Sequence, residues 1–435
     1  MVKYFLGITL SIILSGCMGN TYSKHENTKT IPIEKRQSIK KDFTPLVQQL
    51  LLDPEVTRLL FAKNEKKLQL NLLMAELGPM VTASSSAGGI IDNDDQGLSG
   101  TVQVGVSKDA DLNNLFDVKK DIIENDVTIS NVELIRALNL KIHTVLVAIN
   151  SLTAADQKLE ILKQGLQEYG TVKKLIDKSH QVGVITKGQY LKIQGQLNDI
   201  EMVLENLELQ KENSKQILAI ELGESYKDFM PAFNEGLSKI EAASFDKSLD
   251  DSVLKLNAAI LDNIDNNIIL EKNSQLWNGE YRASLSSVIG DDASGFLGIN
   301  LTKPVYDGGR SEARIALLKS KRFQAETEEK KVYKEVSLAL FSLQANKSTA
   351  KKQASLLREK LENLLAIKKD LEVRQNSGKA QLEDVAQNYL DVANAKIQVI
   401  DSDSLLLKSK IDYVLLQQRA YDYILTGNEI TQIIK

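Results

Sequence analysis

Proline is absent from residues 80–230 and again from residues 305–435. A proline inside a helix costs about 3 kcal/mol, so these two runs leave room for very long helices. The apolar residues use that room. Ile135, Leu138, Ile142, Val145, Ile149 and Leu152 step by threes and fours, and Leu159, Leu162, Leu166 and Tyr169 resume the rhythm. Such spacing makes a seam for a partner helix. Only 5% of residues are aromatic, which favours helices over a β-sandwich. An unbroken helix over 112–180 would be about 100 Å long at 1.5 Å per residue. A globular core does not need that length; a tube or a spacer does.

The plan of the chain repeats. A helical pattern covers 44–78 and closes at Gly78-Pro79. Alternating segments follow at 80–88 and 100–107, then a helical region from about 112 to 222. Residues 223–245, with Pro231, read as a break. The second pass is helical over 248–278, alternating at 280–289 and 296–304, and helical from about 309 to the end. A shift of 195 positions lays Leu297, Ile299 and Leu301 on Val102, Val104 and Val106, and Gly378 on Gly183. We expect an internal duplication, with repeats at 44–238 and 239–435. Each long run is interrupted once, at Gln181 to Gly188 and at Arg374 to Gly378. Glycine followed by a fresh apolar pattern fits a reversal. Each half is then an antiparallel helical hairpin, a kink in one continuous helix being the alternative.

In the strand segments Val102, Val104 and Val106 alternate with Gln103, Gly105 and Ser107, and Leu297, Ile299 and Leu301 with Gly298, Asn300 and Thr302. Tyr281, Ala283, Leu285 and Ile289 share a face of a third segment, while 80–88 has Ala and Ser on both faces. This alternation fits an outer-membrane barrel and equally a half-buried soluble sheet. Four strands cannot close a membrane barrel, which needs about eight, so a spanning barrel would be shared between subunits. After Cys17 no apolar run reaches 18 residues, so the mature chain crosses a membrane with strands or not at all.

With 54 basic and 58 acidic residues the net charge is −4, which argues against nucleic-acid binding. The three histidines, at 25, 143 and 180, do not cluster, and no nucleophile–base set appears. We expect no enzyme, no cofactor and no metal site. The single cysteine excludes an intramolecular disulfide. Residues 1–17 have the charged start, apolar stretch and small-residue end of a signal peptide. Leu14-Ser15-Gly16-Cys17 resembles the bacterial lipobox, in which the cysteine is acylated; an ordinary signal with a coincidental cysteine is the alternative. Met18, and not Asp, follows, which in lipoproteins of this type favours the outer membrane. Residues 18–43 read as a polar tether.

The segment Leu301 to Arg310 contains Pro304, Val305, Tyr306, Asp307, Gly308 and Gly309. It is similar to the strand-to-helix junction of the TolC family of outer-membrane efflux and secretion channels, a Pro, an apolar pair and Asp-Gly-Gly. Arg374 to Val385 is similar to that family's Arg-x-x-x-Gly turn, and Val182 to Thr186 to its other helical tip. Taken together, the chain from 44 to 435 resembles this family. The resemblance implies a mainly α fold with four β-strands, and a homotrimer with a shared 12-stranded barrel in outer-membrane lipid above a long periplasmic helical tube. It also implies a periplasmic adaptor and an inner-membrane RND or ABC transporter as partners. The tips, Val182, Gly183, Val184, Ile185 and Thr186 with Arg374 and Gly378, would dock the adaptor and form the closed aperture. Asp384 stands where members often place a lumen-facing aspartate, although an acid there also suits a helix start. Gln387 replaces a second aspartate, Gln375 a gating tyrosine, Ala380 a gating arginine, and Gln189 an aspartate of the first tip. The family's latch is therefore largely missing, and a closed state needs other contacts. In the first half, Asp109 and Leu112-Asn113-Asn114 replace the Pro and Asp-Gly-Gly. His143 is expected to be solvated on the polar side of the seam. His180 adjoins the first tip, and Trp277 marks either a membrane interface or packing. The function implied is a passive exit duct of a tripartite efflux pump or a type I secretion system. The alternative is a periplasmic coiled-coil scaffold or adaptor lipoprotein with a soluble sheet.

Overall fold

The computed structural model describes residues 43–91, 96–243, 252–288, 293–377 and 379–434. The lipobox Leu14 to Cys17, nearly all of the tether, and Gly378 lie outside the described residues. By its contacts the chain divides into a unit at 1–48 and a unit at 49–435.

In chain order the elements are α1 (Pro45–Leu51), α2 (Pro54–Glu76), β1 (Met80–Ile91), β2 (Gln96–Ala110), α3 (Leu115–Gln181), α4 (Lys187–Leu222), α5 (Tyr226–Ala242) and α6 (Ser252–Asn273). Then come β3 (Asn278–Val288), β4 (Ala293–Thr302), α7 (Arg310–Asn376), α8 (Leu382–Leu416), a 3₁₀ turn (Ala420–Tyr423) and α9 (Gly427–Ile434). The fold is mostly helical, with one four-stranded antiparallel sheet in the order β1-β2-β3-β4. The 195-position shift carries the ends of α3, 115 and 181, onto those of α7, 310 and 376, so both helices have 67 residues. At 1.5 Å per residue each is about 100 Å long.

The apolar seam is the reason α3 holds together over that length. Leu138, Ile142, Val145, Ile149, Leu152, Leu159, Leu162 and Tyr169 are all buried. They pack where α3 meets α2, α4, α6 and α8. Both long runs reverse rather than kink, so each half holds an antiparallel hairpin, α3–α4 and α7–α8.

Two expectations fail. Residues 226–242 form a helix, not a break. Tyr226, Phe233, Leu237 and Ile240 make one buried stripe, and that burial outweighs the single backbone bond Pro231 removes. Gly236 in this stripe lies so close to Ile424 that an added Cβ would stand 2.2 Å from its Cδ1. His143 is not solvated: its Nε2 lies 2.8 Å from Asp412 Oδ1 on α8. The polar side of one seam of α3 is the contact face of another.

Candidate functional site

Three features stand out: the sheet, the junctions where strands become helices, and the two helical tips. The register gives the sheet two unlike faces. Cross-strand rows Val81–Val106–Ala283–Leu297 and Ala83–Val104–Leu285–Gly295 lie on one face. Rows Lys108–Tyr281–Ile299 and Ala110–Gly279–Leu301 continue it. Val81, Val104, Val106, Leu285, Leu297, Ile299 and Leu301 are all exposed, Leu297 at 87%. The other face carries rows Thr82–Gly105–Ser284–Phe296, Ser84–Gln103–Ser286–Ser294 and Asp109–Glu280–Asn300. Phe296 and Met80 are apolar exceptions on it, and the Phe296 ring lies over Gly298, where an added Cβ would meet Cζ at 2.7 Å. The strands are 10 to 15 residues long, enough to cross a bilayer when tilted. β1 and β4 are the edges of this open sheet.

The Asp-Gly-Gly motif has a geometric cause. Gly308 and Gly309 both have positive φ, 70° and 80°, a backbone that glycine adopts without penalty. Asp307 then accepts from Gly309 N at 2.9 Å and Ser311 N at 2.8 Å, capping α7. The Ser311 hydroxyl and amide hold the Asp307 carboxyl below its ordinary pKa. Ser311 Oγ also donates to Glu271 of α6 at 2.9 Å. The first-half junction, atypical in sequence, makes a related turn with one left-handed residue in place of two. Asn114, 195 positions before Gly309, is also left-handed, with φ 53°. Its capping acid is Asp111, which accepts from Leu115 N at 2.7 Å and Phe116 N at 3.2 Å. Asp109, which stands where the second half has Pro304, lies in β2 opposite Glu280. Asn113 Nδ2 donates to Trp277 O at 2.7 Å, tying this junction to the start of β3.

At the first tip Gly183 has φ 79°, and Val184 N donates back to Ser179 O at 2.8 Å, closing the end of α3. Thr186 and Gln189 form a capping box that starts α4. Val182 and Val184 are 71% and 73% exposed, whereas Ile185 is buried in an apolar cluster with Ile176, Ile193 and Val385. The His180 ring stacks on Tyr190 at 4.3 Å. The second tip repeats two of the backbone bonds 195 positions on, although Gln381, the counterpart of Thr186, makes no side-chain cap. Lys379 N donates to Arg374 O at 2.8 Å, and Ser377 N to Val373 O as Val182 N does to Lys178 O. Arg374 is exposed and pairs with Asp370 at 2.9 Å. Asp384, in the first turn of α8, is exposed.

Sequence reasoning missed what ties the tips together. Glu383 accepts from Gln189 Nε2 at 2.9 Å and pairs with Lys192 Nζ at 3.2 Å. One step further along, Gln196 Nε2 donates to Gln387 Oε1 at 2.5 Å, and Gln387 Nε2 to Asp391 at 2.9 Å. Gln387 therefore faces α4. The signal for Glu383 was present, as an acid beside Asp384, but only the packing of α4 on α8 shows which of the two is engaged.

No helix of the described residues is long and apolar enough to cross a membrane. No family model matches the chain, and no curated protein matches it. Solved structures do. The Campylobacter jejuni CmeC outer membrane channel aligns with a TM-score of 0.69 and 14% identity, covering 92% of this chain and 91% of its own. The outer membrane protein VceC of Vibrio cholerae aligns with a TM-score of 0.71 and 11% identity, covering 86% and 95%. The chain has the fold of TolC-family outer membrane channels. The open state of the Neisseria gonorrhoeae MtrE outer membrane channel aligns as well, with a TM-score of 0.63 and 12% identity over 86% and 88%. At such identities the likeness speaks for fold alone.

Proposed function

We propose that this chain is the outer-membrane exit duct of a tripartite efflux pump or type I secretion system. Three copies would close a 12-stranded barrel, β4 of each meeting β1 of the next. The observation that carries this reading is the sheet: an apolar face whose described large side chains are mostly exposed, a polar face behind it, and two free edges, all on hairpins about 100 Å long. A soluble sheet would bury one face, since exposed apolar surface of this extent marks a contact with lipid or protein. Closing the barrel removes the edges, which are otherwise open to aberrant pairing.

The helices support the same assembly. Phe323, Tyr333, Leu338, Phe341 and Leu356 of α7 are all more than half exposed, and a neighbouring copy would cover them. The matching bounds and tip bonds of the two halves favour a duplicated origin. The tips would dock a periplasmic adaptor through Val182 and Val184 with Arg374, and Gly378 would allow the second reversal as Gly183 does the first. The adaptor would join the duct to an inner-membrane transporter, RND or ABC. Gln189, Lys192 and Gln196, bound to Glu383 and Gln387, would supply the closed-state contacts in place of the missing latch, with Asp384 free to face the axis. The duct itself does no chemistry; the transporter supplies the energy. Acylation of Cys17 would add a lipid anchor.

The test is conductance of the purified full-length protein in planar lipid bilayers, with photocrosslinking from position 183 in cells. Discrete pores and capture of an adaptor are expected. A protein that forms no pore and is captured with no adaptor would be a scaffold instead.

A further inference from the structure

The apolar face of the sheet carries two charges that a lipid-facing surface should avoid. Lys108 projects from it in the row with Tyr281 and Ile299. Trp277 and Lys303 continue the same face at the helical end, one residue beyond β3 and β4, and Lys303 Nζ lies 6.0 Å from the centre of the Trp277 ring. Trp277, Tyr281 and Lys108 are exposed. Among the described strand residues no Asp or Glu shares this face: Asp109 and Glu280 lie on the other one. Lys108 stands two rows, about 14 Å along the strand, from the Trp277–Lys303 row. It therefore lies inside the apolar band and not at its rim.

A groove of about 300 Å³ begins at Lys108. Its floor is Ala283, small between Val106 and Leu297, and Tyr281 and Ile299 bound it beside the lysine. It continues past Leu285 and Gly295 toward the far end of the sheet. A cation at one end of an apolar slot, with a second cation and two aromatic rings beyond it, matches one kind of molecule: an acyl chain ending in an anionic phosphodiester.

We infer that this groove holds an anionic phospholipid, its acyl chain over Ala283 and its phosphate between Lys108 and Lys303. This rests on the membrane reading above, in which the helical end of the sheet faces the periplasm and so meets the inner, phospholipid leaflet. A zwitterionic headgroup would bring an ammonium to a face that offers it no carboxylate. Lysines on such a face gain most when a phosphate neutralises them, because their stems can lie along apolar surface while the amine reaches the headgroup.

The experiment places the full-length protein in vesicles of three parts phosphatidylethanolamine to one part phosphatidylglycerol, checks flotation, and counts retained lipids by native mass spectrometry after mild extraction. Wild type should retain phosphatidylglycerol well above its share of the vesicle. Lys108→Gln or Lys303→Gln should lower the retained phosphatidylglycerol-to-phosphatidylethanolamine ratio up to about fivefold, and both together should bring it down to the vesicle's own ratio. Lys108→Arg should keep the enrichment, and Ala283→Trp should lose retained lipid with both lysines intact. Equal enrichment in the wild type and the double variant would overturn the site, as would flotation of wild type without any preference. Failure of wild type to float with the vesicles would overturn the membrane reading and the site with it.

Discussion

α3 and α7 have the same length and matching bounds, and two backbone bonds recur at their ends, yet they live in different surroundings. α3 packs against α2, α4, α6 and α8, and buries twenty residues. α7 packs against α6 and α8. Among its described residues only Ser311, Ala350 and Ala354 are buried. The difference teaches that a shared local pattern does not make equal roles. α3 is the spine of the subunit. α7 keeps Phe323 and Phe341 in solvent, more than 70% exposed each, and such rings bury large areas when a partner is present.

The sharpest way to break this contrast is a charge on each helix. Ile142→Asp or Leu146→Asp puts a carboxylate where exposure is 0%, and should cost about 4 kcal/mol or more, abolishing a cooperative melt in detergent. Phe341→Asp should leave the melt of the subunit within a few degrees while abolishing trimers on size analysis. Equal unfolding by both would erase the distinction. A smaller effect is expected at the tips. Gly183→Glu forces a left-handed backbone at a cost of about 1–2 kcal/mol, and Gly378→Glu should act alike. Export should fall in cells while trimers persist, and normal export in both would count against docking there. Smaller again is Glu383→Ala. It removes the partner of Gln189 and Lys192, two bonds of about 1 kcal/mol each. Protease cleavage between 181 and 188 should rise severalfold, with an unchanged rate speaking against a tie.

The smallest effect concerns pH. Burial alone would push the Asp412 carboxyl up, but bonds from His143 and Lys408 outweigh it and hold it below its ordinary value. A depressed carboxyl stabilises the fold above its unfolded pKa of about 3.9 and loses that contribution as pH falls through the folded value. Asp412→Asn should therefore lose less thermal stability than wild type between pH 6 and pH 3. Identical losses would show that the pair does not join α3 to α8.

Much of this was legible from residues alone, for a physical reason. Helical seams and alternating strands are local periodicities, so the hairpins, the four strands and the reversal at Gly183 could be read directly. What depends on a second element could not. Pro231 signals a break until the stripe of Phe233, Leu237 and Ile240 finds a surface. His143 looks solvated until α8 arrives with Asp412. The first junction looks atypical because Asn114 does the work of a glycine, and its capping acid, Asp111, stands one position out of register with Asp307. Glu383 is one of two adjacent acids until α4 selects it. Lys108 has no meaning before the register puts it on the apolar face.

The most direct measurement is a disulfide scan across the free edges. The only cysteine of the chain is Cys17. Ser84→Cys on β1 is combined in turn with Ser294→Cys, Gly298→Cys and Asn300→Cys on β4, all on the polar face. If β4 of one copy pairs with β1 of the next, at least one combination yields covalent trimers on a non-reducing gel, and none forms with a β1 cysteine alone. Monomers throughout, from protein shown to reside in the outer membrane, would contradict the shared barrel.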